Sequence, residues 1–433
     1  MSVGSAPSST SSREVDAPLT ERQFVVPLVL VTSLFFLWAI GVNLNDVLVP
    51  HLKKALDLTD FQSSLIQTAF FGGYFLMALP AGWLMRRLGY RRGILVGLAL
   101  CAVGTLLFQP AASARWYPFF LLALFVMACG QCVLEVAANP YVTVLGPPAS
   151  AARRLNMAQA FNAVGGVLTP LLGAQFILSG VEHTPEELAA MSPATVEAWR
   201  ASEAAGVTAP YLVITVLFVA VGLLIAFAKL PEVTEAGSGG GRGLRGAWQH
   251  SQLRGGVLAQ FCYVGAQVGV ASFVIRFVQQ AMPGTGERDA AAFLQWHLTA
   301  FLVGRIAGSV LMHRIPAARM LAIVAGLGVV AAAGAALGAG MTSVWMVVAL
   351  GLCHSIQFPT IFALAIDGLG DDTKSGASLV VMSIVGGAIV PAVMGALSDS
   401  AGIQVAFIVP VLCYLAVLHF AVRGHRHTTG VAA

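Results

Sequence analysis

Residues 61–113 read FQSSLIQTAFFGGYFLMALPAGWLMRRLGYRRGILVGLALCAVGTLLFQPAAS. Two apolar runs, 61–85 and 93–113, flank a knot of charge made by Arg86, Arg87, Arg91 and Arg92. A helix crosses the hydrocarbon of a bilayer with about 20 mostly apolar residues. Each run has that length. Inside lipid no water reaches backbone N–H and C=O groups, so a continuous run must pair them within itself as a helix. Barrel strands would alternate over about 10 residues, and these runs do not. The stretch therefore reads as a helical hairpin through a membrane, with its arginines left on one side.

The same pattern repeats along the chain. Apolar runs fall at 24–50, 61–85, 93–113, 117–146, 155–180 and 209–230, and again at 255–281, 290–313, 317–340, 342–366, 376–397 and 403–422. This predicts an all-α membrane protein of twelve transmembrane helices in two six-helix halves. Of the 433 residues, 57% are hydrophobic and only 10% are charged. Soluble domains carry about 25% charge. A chain with so little charge and a mean hydropathy of +0.81 cannot cover a water-facing surface. Soluble enzymes, nucleic-acid binders and disordered chains are excluded. All six Cys lie within apolar runs, which argues against a secreted disulfide framework.

The predicted organisation is a cytoplasmic tail at 1–23, an N-terminal half at 24–230, a linker at 231–254, a C-terminal half at 255–422 and a second tail at 423–433. The linker contains Gly237-Ser238-Gly239-Gly240-Gly241-Arg242-Gly243, a flexible composition suited to two rocking half-bundles. The first tail is Ser-rich and has no cleavage site before the first apolar run, so that run reads as a retained helix. Lys and Arg set the orientation. With the N-terminus inside, seventeen of the 24 basic residues fall on the cytoplasmic side and five outside. Arg276 and Arg305 lie within predicted helices. Both termini are expected to be cytoplasmic.

Two acids sit where they should not. A carboxylate in the hydrocarbon region costs about 2.5–3.5 kcal/mol on insertion scales. Asp46 follows Asn43-Leu44-Asn45 in the first run, and Glu135 lies mid-way through the fourth. Burial disfavours the charged form, so an acid reached alternately from either side of the membrane can load and release a proton. Polar side chains accompany them. Asn139 is one turn beyond Glu135, and Gln159 and Asn162 share one face of the fifth run. Gln260, Tyr263 and Gln267 form a stripe on the seventh. His354, Gln357 and Thr360 mark the tenth. Amides both donate and accept, and aromatic faces cover C–H surface, so the set suits a neutral polyhydroxylated solute. Structural roles stay open for each: interhelical amide bonding is worth about 0.6 kcal/mol on average. His297, His313 and His419 are read as interfacial. Cys129-x-x-Cys132 lies inside a helix and Gly368-Leu369-Gly370-Asp371 in a polar loop, so neither reads as a redox or protease site. No cofactor or metal is implied.

The loop Gly82-Trp83-Leu84-Met85-Arg86-Arg87-Leu88-Gly89-Tyr90-Arg91-Arg92 resembles the loop 2–3 signature of the major facilitator superfamily, with Arg86 where most members carry Asp. That acid helps latch the halves, so the resemblance implies a different latch here. Tyr74-Phe-Leu-Met-Ala-Leu-Pro-Ala-Gly82, Glu135-Val-Ala-Ala-Asn-Pro-Tyr141, Leu155-Asn-Met-Ala-Gln-Ala-Phe-Asn162, Ala259-Gln-Phe-Cys-Tyr-Val-Gly-Ala-Gln267, Gln357-Phe-Pro-Thr-Ile-Phe362 and Asp372-Thr-Lys374 are together similar to the L-fucose permease family of proton symporters, which includes glucose/galactose transporters. The resemblance implies that Asp46 handles the proton and Glu135 serves sugar transport. It also assigns Asn43, Gln159 and Trp38 to the cavity. Family members that take L-fucose carry a Trp in helix 7 where this chain has Ala271, which leaves the sugar open.

The expectation is proton-coupled symport of a neutral monosaccharide into a bacterial cell by a non-enzymatic inner-membrane monomer. Asp46 and Glu135 couple the proton. Trp38, Asn43, Glu135, Asn139, Gln159, Asn162, Tyr263, Gln267, His354 and Gln357 form the substrate set. The partners are the monosaccharide, the proton and the lipid bilayer, with no nucleic acid. A drug:proton antiporter and a non-transporting sugar sensor remain alternatives on the same scaffold.

Overall fold

The computed structural model describes residues 18–56, 60–177, 187, 190–206, 208–228, 230–231 and 243–425. Among these residues the secondary structure is helical. Helices α1 (Val25–Leu56), α2 (Asp60–Leu106), α3 (Phe108–Ala114), α4 (Tyr117–Val144), α5 (Ala151–Ile177), α6 (Pro193–Gly206) and α7 (Thr208–Phe227) come first. They are followed by α8 (Gly243–Gln249), α9 (Ser251–Ala281), α10 (Glu287–Leu311), α11 (Ala317–Leu337), α12 (Gly340–His354) and α13 (Gln357–Ile366). Last are α14 (Thr373–Met382), α15 (Gly386–Ala401), α16 (Ile403–Ala406) and α17 (Ile408–His419).

Nine stretches of the described residues are long and apolar enough to cross a membrane. One of them, Thr68–Ala114, runs to 47 residues and is interrupted at Gly89, whose φ of 77° and ψ of 176° are non-helical. Glycine reaches that φ at little cost because it has no Cβ, so this stretch holds two crossings. Helices α5 and α10, with 27 and 25 residues, have spanning length but carry more polar side chains. The arrangement is consistent with the twelve crossings read from the sequence. The protein is an integral membrane protein. Its outward helix faces are apolar: α7 exposes Val213, Val216, Leu223, Leu224 and Phe227.

The run 342–366 is not the single helix the sequence predicts. It breaks at Ser355 and Ile356, between α12 and α13. Pro359 explains the break, because it lacks the N–H that would bond the Ser355 carbonyl and its ring clashes there. The run 376–397 is likewise interrupted by a 3₁₀ turn at Ser383–Val385, ahead of Gly386 and Gly387. The linker residues 232–242, including most of the glycine-rich segment, lie outside the described residues.

The chain forms two compact units. One comprises Leu30–Ala138 and Phe161–Glu232. Here α2 packs on α7, and small residues let α2 and α4 meet closely. A Cβ added at Gly104 would lie 2.4 Å from the Met127 nitrogen, and one at Gly130 2.5 Å from the Cys101 nitrogen.

The other unit comprises residues up to Val29, Asn139–Ala160 and Val233–Ala433. Helix α9 is its axis, packed by α10, α13, α15 and α17. Its core is apolar, with the Phe277 and Phe407 rings 4.7 Å apart. Glycines again set the spacing: a Cβ on Gly351 of α12 would fall 2.1 Å from the His297 carbonyl of α10. Arg154 is fully buried and knots this unit's N-terminal strand of chain to the turn between α4 and α5. It donates to the carbonyls of Leu19, Val142, Thr143, Gly146 and Pro147 and to Ser150 Oγ.

Candidate functional site

In the first unit, Glu135 stands on α4 at 2% exposure. It lies within electrostatic reach of Tyr74 and Cys132, and Trp38 lies within electrostatic reach of Tyr74. Cys132 Sγ donates to the Tyr74 carbonyl at 3.4 Å. One turn before Glu135, Gln131 is fully buried with neither amide atom paired to protein. Gly41 makes room for it, since a Cβ there would meet Gln131 Nε2 at 2.7 Å. Trp38 is buried against Phe35 at 5.8 Å. Asn162 of α5 donates to the Phe35 carbonyl at 3.0 Å. Asn43 donates to the Ala39 carbonyl at 2.8 Å and faces Gly166. The unit thus brings Trp38, Tyr74 and Glu135 together, with Asn43 and Asn162 along the α1–α5 contact. The Asp46 side chain lies outside the described residues.

The second unit holds a separate polar cluster. Gln159 Nε2 donates to Asn139 Oδ1 at 3.4 Å, and both side chains are buried. Asn156, one turn before Gln159, donates to Thr360 Oγ1 at 3.0 Å. Arg305 of α10 donates to the Gln159 carbonyl at 3.4 Å and covers the Phe301 ring at 4.8 Å. Tyr263 of α9 is fully buried, lies within electrostatic reach of Arg305, and donates to the His354 carbonyl at 2.9 Å. That carbonyl sits at the end of α12, where the break in the helix frees it from helical pairing. His354 Nε2 pairs with the Tyr414 hydroxyl. Gln357, at the start of α13, donates to the Cys353 carbonyl at 2.9 Å. Several buried polar atoms here have no protein partner: Asn139 Nδ2, Asn156 Oδ1, both amide atoms of Gln260, His354 Nδ1 and Gln357 Oε1.

Residues 31–385 match the Major Facilitator Superfamily. The chain belongs to this superfamily. It is 42% identical over 409 residues to a glucose/galactose transporter of Brucella abortus biovar 1 (strain 9-941), covering 94% of this chain and 96% of that one. It is 41% identical over 425 residues to the L-fucose-proton symporter of Escherichia coli (strain K12), covering 95% and 96%. The crystal structure of the transporter FucP in the outward conformation superposes with a TM-score of 0.88 at 40% identity, covering 94% of this chain and 100% of that one.

On this superfamily fold the sequence-derived residues divide between the units. Trp38, Asn43, Glu135 and Asn162 belong to the first. Asn139, Gln159, Tyr263, Gln267, His354 and Gln357 belong to the second. Gln267 is half-buried, and no described hydrogen bond ties it to the cluster. His297 departs from the interfacial reading. It is 2% exposed, Nδ1 pairs with the Val347 carbonyl at 2.9 Å, and its ring lies 5.4 Å from that of His354. The close α10–α12 approach at Gly351 encloses it. Arg276 rests on Phe273 at 5.5 Å. Sequence reasoning missed Gln131 and Asn156 as buried polar groups. Their signal was spacing, since each lies one turn before a residue already singled out, Glu135 and Gln159.

Proposed function

We propose that this chain is a proton-coupled symporter that carries a neutral monosaccharide, L-fucose or a related hexose such as galactose or glucose, into a bacterial cell across the inner membrane. The observation that carries the reading is Glu135: an acid almost fully enclosed in a membrane helix, beside Tyr74 and Trp38. An acid in lipid is costly, and a chain that keeps one has a use for it. The relatives are named for sugar and proton transport, which supports the same reading. Asp46 takes the proton. Trp38, Asn43, Glu135, Asn162, Asn139, Gln159, Tyr263, Gln267, His354 and Gln357 hold the sugar. The buried amides offer both donors and acceptors, which matches hydroxyl groups and gives no excess for an ion.

The transport cycle follows alternating access by two six-helix halves, 24–230 and 255–422, joined by the linker 231–254. Sugar and proton must each bind one state better than the other, or no coupling follows. The protein works as a monomer with both termini in the cytoplasm.

The test is uptake and counterflow in proteoliposomes against L-fucose, D-galactose and D-glucose, with pH and sodium gradients varied separately. Asp46→Asn is expected to abolish proton-driven uptake and to spare exchange. Glu135→Gln is expected to lose sugar binding or transport. Wild-type uptake by Asp46→Asn under a pH gradient would sink the coupling assignment. Dye efflux in place of sugar uptake would favour a drug antiporter.

A further inference from the structure

Two buried arginines of the second unit use their donors in opposite ways. Arg154 engages five backbone carbonyls and a hydroxyl. Arg305 is 4% exposed, yet the one side-chain hydrogen bond it makes among the described residues, to the Gln159 carbonyl, is long at 3.4 Å, and its Nε has no protein partner. No carboxylate among the described residues lies within ion-pair distance of it. An enclosed guanidinium has five N–H groups to satisfy, and leaving a charged donor unpaired is costly. Near it on α9, Tyr263 is within electrostatic reach, and one turn earlier Gln260 is fully buried with both amide atoms unpaired. An enclosed amide without a partner is costly, because it has given up its bonds to water and gained none in return. Among the described residues neither group forms a strong bond, so neither serves there to hold the helices together.

We propose that Arg305 and Gln260 contact the transported sugar and determine which sugar is accepted. The inference rests on the sugar-symport reading above. Gln260 supplies a donor NH2 group and an acceptor carbonyl oxygen, a match for a hydroxyl that both accepts and donates. Arg305 supplies donors only, so it faces oxygens that accept: a hydroxyl lone pair or the ring oxygen. Its planar fork reaches two neighbouring oxygens at once, which a lysine cannot do. The pair thus reads the relative placement of oxygens on the ring, the feature in which hexoses differ from one another.

The experiment uses the full chain. Wild type and the variants Arg305→Gln, Arg305→Lys and Gln260→Leu are purified, and binding of L-fucose, D-galactose and D-glucose is followed by intrinsic fluorescence. Counterflow KM and Vmax are measured after reconstitution, and melting temperature is recorded without sugar. Each variant is expected to raise Kd and KM tenfold or more for the preferred sugar, with Vmax within threefold. Arg305→Lys should fail to restore affinity. Gln260→Leu should melt at or above wild type, because it removes an unpaired buried amide, and this separates ligand contact from a structural role. Folded variants that keep Kd and KM within twofold of wild type would overturn the proposal, as would a Gln260→Leu protein that melts earlier and binds normally. A wild type that binds sugar without counterflow removes the symport reading and leaves this one standing. A wild type that binds none of the three sugars overturns both.

Discussion

Replacing Arg154 by Met is expected to destabilise the second unit by about 3 kcal/mol. The side chain is fully buried. Its bonds to the Val142, Leu19 and Pro147 carbonyls are 2.9, 2.9 and 3.0 Å long. Leaving a buried carbonyl without its donor costs about 1–3 kcal/mol, so these three alone amount to roughly 3–9 kcal/mol. Burial also penalises the guanidinium: desolvation and the neighbouring Arg153 pull its pKa down to about 10. The mutant no longer bears that desolvation cost, and water can reach some carbonyls at the turn. Both effects move the net loss to the low end of the range. Arg154→Lys keeps the charge but loses the fork, and should fall between. Thermal unfolding of the purified protein, followed by intrinsic fluorescence, should show Arg154→Met melting several degrees below wild type. Limited proteolysis should cut near residue 20 earlier, because the Leu19 carbonyl loses its 2.9 Å bond from the guanidinium, leaving the Ser150 hydroxyl's bonds to the Pro18 and Leu19 carbonyls and the Thr20 hydroxyl's bond to the Leu145 carbonyl. A mutant that melts within a degree of wild type and resists the protease equally would refute the reasoning.

Two further outcomes follow from local geometry. Gly351→Ala would place a Cβ 2.1 Å from the His297 carbonyl, a backbone atom that cannot swing aside; α10 and α12 must part, and a loss of about 1–3 kcal/mol should appear as earlier melting, whereas an unchanged melting temperature would show that the helices are free to separate. Arg115 and Glu197 form an exposed ion pair in which the Arg115 hydrogen bond, and then its charge, hold Glu197 below the usual carboxylate range. A lowered folded-state pKa stabilises above the unfolded value, near 4.3, and that contribution is lost as pH falls through the folded value. Being exposed, the pair is weak and salt-sensitive. Wild type should melt slightly above Glu197→Gln near neutral pH, with the gap closing in acid; a gap that widens in acid would contradict the assignment.

Much of the fold was legible because a bilayer imposes length and continuity on apolar runs. The stretch 61–113 declared two crossings, and the helical path between them is interrupted at Gly89. The break between α12 and α13 was harder to read. Its cause, Pro359, was visible, but hydropathy alone runs smoothly across it. The candidate site was half legible. Glu135 stood out because a lone acid in an apolar run is costly wherever the run packs. Gln131 and Asn156 did not stand out, because an amide in a helix can face lipid headgroups, a neighbouring helix or a cavity, and spacing along one helix does not say which. The sequence could not tell buried His297 from an interfacial histidine either. Its enclosure depends on the α10–α12 distance, set by Gly351 on a different helix.

By itself, then, the sequence determined that this is a helical membrane protein, how many crossings to expect, which side its arginines favour and which acid is out of place. These are consequences of transfer free energy, counted residue by residue along the chain. Only the tertiary structure decided what each polar group meets. It separated Arg154, saturated by six acceptors, from Arg305, enclosed with one long bond among the described residues. The two side chains have the same chemistry and similar burial. Hydrogen bonding depends on partners brought from other segments, and no local pattern in the chain encodes them.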